Sequence, residues 1–221
     1  MQLRGLNSDK SWDYENGYFW FSGPERLNKL LAHYELYKSI QNLPGHIFEL
    51  GVYKAASLIR FATFRNALEN DFSRKIVGFD SYGKFPVDNV NLNADLQFID
   101  RFEGAGGDGL AEEEVESILR LKKFQNVELV KGNVFDTLGR YLELHPATKI
   151  ALLHLDMDVN EPTAYALEML YSRVVPGGLI VIDDYNSVAG ATEAVDRFIK
   201  DHNLKIEKLN FYNVPAFIRK P

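Results

Sequence analysis

Apolar residues along this chain follow two rhythms: short unbroken runs, and longer stretches in which they recur every third or fourth position. The first predicts buried strands and the second amphipathic helices. Leu27, Leu30, Leu31 and Tyr34 stand at helical spacing in a helix that Ser22-Gly23-Pro24-Glu25 is read to cap and that runs to about Gln41, where Pro44 and Gly45 stop it. His46 to Leu50 is then the first strand of a core, Ala55 to Leu68 a helix, and Lys75 to Phe79 a second strand ended by Asp80. Val127 to Val130, Lys149 to Leu155 and Gly178 to Ile182 continue the series of strands. Helices are expected at Ala111 to Lys122, at Asp136 to Leu144, around Pro162, whose missing N–H costs nothing in a first turn, and at Val188 to Asp201. Strands alternating with helices imply a parallel sheet covered on both faces. Leu204 to Lys208 and Val214 to Arg219 close the chain as a hairpin, making seven strands with an antiparallel edge.

Ser81 to Gly109 breaks the rhythm. It mixes glycine, proline and asparagine with aromatics over a length beyond that of a plain connector, and such a loop is expected to form a lid or a binding loop. The start of the chain, with Trp12, Tyr14, Tyr18, Phe19, Trp20 and Phe21, is polar and aromatic and lies outside the alternation. No repeat or linker appears, so residues 1–221 read as one domain: a helical, aromatic lid segment over 1–43 and an α/β core over 44–221.

Composition narrows the function. With 46% hydrophobic and 25% charged residues in 221, the chain can bury one substantial core. The net charge of −6, with no basic run, gives no footprint for nucleic acid or an anionic membrane. There is no cysteine, which removes disulfides, thiolate nucleophiles and zinc-thiolate sites. No signal-peptide pattern and no window approaching the roughly 18 apolar residues of a membrane span is visible, so a cytoplasmic protein is expected.

The candidate chemistry sits where strands stop. IALLHLDMDV ends in Asp156 and Asp158, and GLIVIDDY ends in Asp183 and Asp184. If these strands are neighbours, the acids converge on the rim where α/β sheets bind ligands. Two carboxylates about 4 Å apart repel by about 4 kcal/mol at an effective dielectric near 20, so the group needs a cation, protons or wide separation. A divalent metal is the simplest answer. Gly51, after the first strand, lets one ligand group approach closely, but the turn lacks the three glycines a pyrophosphate site requires. Asp80 stands where an acid accepts from ribose hydroxyls, although such a residue alone is often a turn or cap residue. Glu49 in the same crevice suits a ligand carrying an ammonium group. Asn133 after the third strand offers an amide to an adenine edge, or is simply part of a turn. His154 shares a face with Asp156 and is either a core residue or a base, while the other four histidines give no signal.

Four segments in order, the ELGVY loop, GFDSYGKFP, LHLDMDV and PGGLIVIDDY, resemble the macrocin and mycinamicin O-methyltransferase (TylF/MycF-like) family from about Arg26 to the end. The resemblance implies a class I, Rossmann-like methyltransferase fold that uses S-adenosyl-L-methionine and Mg2+ or a similar cation. The acceptor it implies is a small-molecule hydroxyl, most often on a deoxysugar of a natural product, and a homo-oligomer is compatible with it. It places Glu49, Gly51, Val52, Tyr53, Ser57, Asp80 and Ser81 at the cofactor, Asp156, Asp183 and Asp184 at the metal, and Asp158 as general base. If the chain turns at Met157, His154 or Asp156 is the nearer base. Ala55 and Ala56 depart from the family, which commonly has a further glycine there, and the N-terminal segment is short. A haloacid dehalogenase-like phosphatase would also use a D-x-D-x-V strand end, but needs it early, and only 65 residues follow Asp156. A sugar-nucleotide glycosyltransferase would explain the D-x-D but not Gly51 with Asp80, and a binding protein without catalysis would have no reason to keep four unneutralised acids.

Overall fold

The computed structural model describes residues 1–221. In chain order the elements are β1 (Gln2–Leu3), β2 (Leu6–Asn7), α1 (Ser11–Phe21), α2 (Pro24–Ser39), β3 (His46–Leu50), α3 (Ala56–Leu68), β4 (Ile76–Asp80), α4 (Asn93–Gly106), α5 (Glu112–Lys122), β5 (Val127–Lys131), α6 (Val134–Leu144), β6 (Ile150–Leu155), α7 (Asn160–Leu170), β7 (Val174–Ile182), α8 (Ala189–Asp201), β8 (Ile206–Leu209) and β9 (Tyr212–Arg219). β1 and β2 form a small antiparallel pair, and the other seven strands form one sheet in the order β5-β4-β3-β6-β7-β9-β8.

The sheet is parallel except for β9, which pairs antiparallel with both β7 and β8. The terminal hairpin therefore forms one side of the sheet as expected, with a refinement: the antiparallel strand lies inside and β8 is the edge. From β3 the chain builds outward through β4 and β5, then returns to place β6 on the other side of β3. That reversal opens a crevice at the carboxyl ends of β3 and β6. Leu50, Leu155 and Ile182 stand in register, so Gly51, Asp156 and Asp183 leave the sheet side by side. The ends are tied together: Asp156 N–H donates to Leu50 O at 2.9 Å, and Asp183 N–H to Leu155 O at 3.0 Å.

Strand alternation sorts the core into two layers. Phe48, Leu50, Leu153, Leu155, Ile180 and Ile182 face α6, α7 and α8. Ile47, Leu152, Leu179 and Val181 face α2 and α3. Glu49 and His154 belong by parity to the second layer, which places two fully buried polar side chains in an apolar stratum.

Three expectations need correction. Ser81 to Gly109 is not irregular throughout, because residues Asn93–Gly106 form α4. Leu96, Ile99 and Phe102 already stand at helical spacing, and the breakers on both sides hide them. The aromatic start holds a helix of its own, α1, none of whose residues is buried. Finally, Ser22 does not cap α2: Gly23 is the cap residue, without a side-chain bond, and the Ser22 hydroxyl donates back to Tyr18 O.

Candidate active site

A cavity of about 470 Å3 opens at the crevice. Its walls come from the Gly51 loop, the ends of β4 and β5, the lid around α4, and the four aspartates, with Arg26, Lys29 and Arg60 closing the side toward α2 and α3.

Gly51 has φ +91, and a Cβ there would lie 1.9 Å from the carbonyl oxygen of Asp156. The close approach that requires glycine is thus to the neighbouring strand end, which the sequence reading had assigned to a ligand. Tyr53 and Ala55 also have positive φ, 48° and 57°, so the loop winds through a left-handed path at two non-glycine positions. Asp80 holds this path: its Oδ2 accepts the N–H groups of Val52 at 2.7 Å and Tyr53 at 2.9 Å, and its Oδ1 accepts from Tyr82 at 2.6 Å. A carboxylate has about four acceptor positions, so Asp80 keeps capacity for one hydroxyl. The Ser81 hydroxyl donates to Lys84 O at 2.7 Å. Asn133 is the N-cap of α6, its Oδ1 accepting from Phe135 N–H at 3.1 Å, which leaves its amide N–H groups without a protein partner on the cavity wall.

Glu49 is fully buried behind Ser57, whose hydroxyl donates to it. It does not reach the cavity wall, and burial pushes its carboxyl up to about 8.

The four aspartates all line the cavity but divide into two groups. The chain turns after β6, Asp158 having φ 64, and its N–H donates to Asp184 Oδ2 at 2.9 Å. Asp156, Asp158 and Asp184 then present carboxylate oxygens within 4.8 Å of one another. Burial and mutual repulsion raise Asp156 and Asp184 well above the usual carboxylate range, and burial with Asp156 raises Asp158 to about 7. Such an all-oxygen set fits a hard divalent cation, which would relieve that repulsion.

Asp183 turns the other way. Its Oδ2 accepts from Lys29 Nζ of α2 at 2.5 Å, and its Oδ1 lies 3.8 Å from both His33 Nε2 and His154 Nε2. Those last distances exceed a hydrogen bond, so the imidazoles act through their fields. Burial alone would raise the Asp183 carboxyl, but His154, His33 and Lys29 outweigh it and hold it well below the usual range. His154 is fully buried, 3.9 Å from Glu49 through Nδ1, and is not on the cavity wall. It is a buried neighbour of Asp183 rather than a group open to an acceptor.

Sequence reading missed Lys29 and His33. They lie one helical turn apart on α2 and point at Asp183, a signal that spacing carries only once α2 is known to set His33 against His154 of β6. Burial lowers His33 to about 4. The lid was half seen: Tyr53 donates to Gly107 O at 3.2 Å and its ring packs tilted against Phe102, with centroids 4.9 Å apart, Lys54 donates to Gly106 O at 2.6 Å, and Glu103 accepts from Phe85 N–H at 2.7 Å.

The chain matches known proteins over nearly its whole length. A family model described as macrocin-O-methyltransferase (TylF) matches residues 9–220. The 8-demethyl-8-(2,3-dimethoxy-alpha-L-rhamnosyl)-tetracenomycin-C 4'-O-methyltransferase of Streptomyces olivaceus is 29% identical over 150 residues, 65% of this chain and 54% of that protein. Demethyldecarbamoylnovobiocin O-methyltransferase of Streptomyces niveus is 26% identical over 179 residues, 77% of this chain and 66% of that one. The matched stretches thus span between half and two thirds of these relatives. Among solved structures, a calicheamicin methyltransferase, described as a TDP-rhamnose 3'-O-methyltransferase, superposes with a TM-score of 0.70 at 25% identity, covering 97% of this chain and 86% of its own. The O-methyltransferase NovP shares the fold with a TM-score of 0.73 at 22% identity, over 86% of this chain and 78% of its own. None of these relatives is a phosphatase or a glycosyltransferase. With the model match running from residue 9 to residue 220, the chain belongs to the macrocin-O-methyltransferase (TylF) family.

Proposed function

We propose that this protein is an O-methyltransferase that uses S-adenosyl-L-methionine and a divalent cation such as Mg2+ to methylate a hydroxyl on a small sugar or sugar-bearing metabolite. The observation that carries the reading is the meeting, in one cavity, of the Gly51 loop and Asp80 with an unneutralised cluster of acids. Rhamnose in the descriptions of two relatives supports a sugar acceptor.

The cofactor supplies an electrophilic methyl group, and a cation lowers the pKa of a hydroxyl that it binds. The protein's own residues do the rest. Asp80 fixes Val52 and Tyr53 and offers its remaining acceptor position to a ribose hydroxyl; Ser81 flanks it, and the free amide of Asn133 suits an adenine edge. Glu49 and Ser57 brace the turn from behind. Asp156 and Asp184 are the proposed cation ligands; Asp183, the third one expected from the sequence, would have to give up Lys29 to join them. Asp158, on the cavity wall beside Asp184, is the residue proposed to take the acceptor's proton. His154 sits buried behind Asp183, 3.8 Å from its Oδ1. In-line transfer depends on holding acceptor oxygen and methyl carbon at close range, which is the task of the lid.

The test is incubation with labelled S-adenosyl-L-methionine and a panel of rhamnosides and nucleotide-linked deoxysugars, followed by mass spectrometry. Methylated product that disappears with EDTA and returns with Mg2+ is expected. Failure to bind S-adenosylhomocysteine, or consumption of a nucleotide sugar without S-adenosyl-L-methionine, would sink the proposal.

A further inference from the structure

Nine buried side-chain polar atoms have no hydrogen-bond partner in the protein, and six of them stand together: both ring nitrogens of His33 and of His154, Glu49 Oε2 and Asp183 Oδ1. A buried donor or acceptor left unpaired costs about 1–3 kcal/mol, so such a gathering calls for an occupant that pairs with it. The two imidazoles come from α2 and β6 and have no exposed surface. Each Nε2 lies 3.8 Å from Asp183 Oδ1, just past the end of β7. Phe61 packs against both rings, with centroids 5.3 and 5.4 Å away, so the surroundings are apolar on that side.

His33, His154 and Asp183 offer two imidazole nitrogens and one carboxylate oxygen within 4.8 Å of one another. Ligand atoms about 2.1 Å from a shared tetrahedral ion are about 3.4 Å apart, so small side-chain shifts bring these three to that spacing. His154 turns its Nδ1 to Glu49 Oε1 at 3.9 Å. A carboxylate behind an imidazole fixes the tautomer that directs the Nε2 lone pair at a metal. Lys29 does not block the place, because it holds Asp183 Oδ2 and leaves Oδ1 to the histidines. An internal water is the competing occupant, but a water needs no carboxylate behind its partner.

We infer that His33, His154 and Asp183 form a binding site for a divalent transition-metal ion such as Zn2+ or Co2+, separate from the all-oxygen set of Asp156, Asp158 and Asp184. Imidazole selects ions of this class, whereas Mg2+ keeps to oxygen. The ion joins α2, in the N-terminal segment, to the ends of β6 and β7 and so fastens that segment beside the cavity. It also gives Asp183 a partner on the side turned away from the oxygen cluster. The inference does not depend on methyl transfer.

Co2+ is the probe, added to the full chain after chelator treatment and in excess Mg2+ so that the oxygen cluster is filled. One equivalent should bind and develop the visible absorption of a four- or five-coordinate site, and Zn2+ should displace it while further Mg2+ does not. His33→Phe, which keeps a ring against Phe61, should weaken Co2+ by about a hundredfold or more, and Glu49→Gln by about tenfold, the range for a group behind a ligand. Asp184→Asn should leave the Co2+ spectrum unchanged. Anomalous scattering from Co2+-soaked crystals of the wild type locates the ion without any substitution, and a peak between the two histidines is expected. A water at that place, or a peak only among Asp156, Asp158 and Asp184, would overturn the assignment. So would no Co2+ uptake in Mg2+, or a spectrum that survives His33→Phe and is lost in Asp184→Asn.

Discussion

At the scale of single residues, the site is built from contacts between strand ends. Gly51 is required because its neighbour is the Asp156 carbonyl, so the loop after β3 and the first acid of the cluster cannot move independently. Gly51→Ala should cost about 2–4 kcal/mol, the sum of a left-handed alanine and an overpacked contact. Urea unfolding measures this, and an unchanged midpoint would mean that the two strand ends are not in contact. The buried acids make a second prediction. Glu49 and Asp158 are raised to about 8 and about 7 from ordinary values of 4.5 and 3.8. A group raised on folding contributes stability that is complete below its unfolded value and is lost as pH climbs through its folded one. His33, lowered to about 4, adds stability as pH rises to the ordinary histidine value of 6.5, so the acids' loss is read above that. Without a cation, the melting temperature should fall between about pH 6.5 and pH 8, and Glu49→Gln should flatten that slope. Asp183 is depressed, so its contribution is lost only on acidification below the ordinary carboxylate value and does not disturb this window. A profile that is flat or rising across the window would contradict the burial of these acids. The acids themselves were legible in the sequence, because each ends an apolar run. Their division was not, since the direction of Asp183 is set by Lys29 from a helix more than a hundred residues away in sequence.

Among elements, α2 and α4 carry what the strand pattern could not show. The strand-helix alternation was readable because buried parallel strands are nearly continuous apolar runs. A helix that packs only over a cavity has a weaker pattern, and α4 was masked further by the glycines and asparagines around it. Its attachment is specific. Asp95 is almost fully buried, accepts from Asn160 N–H at the start of α7 at 2.9 Å, and lies against Gly190 of α8, where a Cβ would come within 2.1 Å of its oxygen. The Asn160 side chain donates in turn to Gly190 O at 3.0 Å. One carboxylate thus fastens the lid to two helix starts while Tyr53 and Lys54 hold its other end. Asp95→Ala should cost about 1–3 kcal/mol by leaving the Asn160 N–H unpartnered. Hydrogen exchange should show α4 losing more protection than β3 or β6; equal loss throughout would mean that the lid is not a separate unit.

On the scale of the whole molecule, the proposed cation site would couple stability to cation binding. A ligand that binds only the native state at a hundredfold excess over its Kd adds about 2.7 kcal/mol. Mg2+ should accordingly raise the melting temperature of the wild type. Asp184→Asn should remove that response and, because it relieves the repulsion among Asp156, Asp158 and Asp184, should melt above the wild type when both are free of cation. A variant that melts lower without cation and still responds to Mg2+ would refute the cluster as the cation site. The position of β9 has a further consequence, for biosynthesis. β9 follows β8 in the chain yet fills the gap between β7 and β8, so β8 has no place in the sheet while β9 is still in the exit tunnel. Until then β7, which carries Asp183 and Asp184 at its tip, is an open edge able to capture a strand from another nascent chain. Loss of residues 212–221 should send the protein to aggregation rather than to a slightly weakened fold.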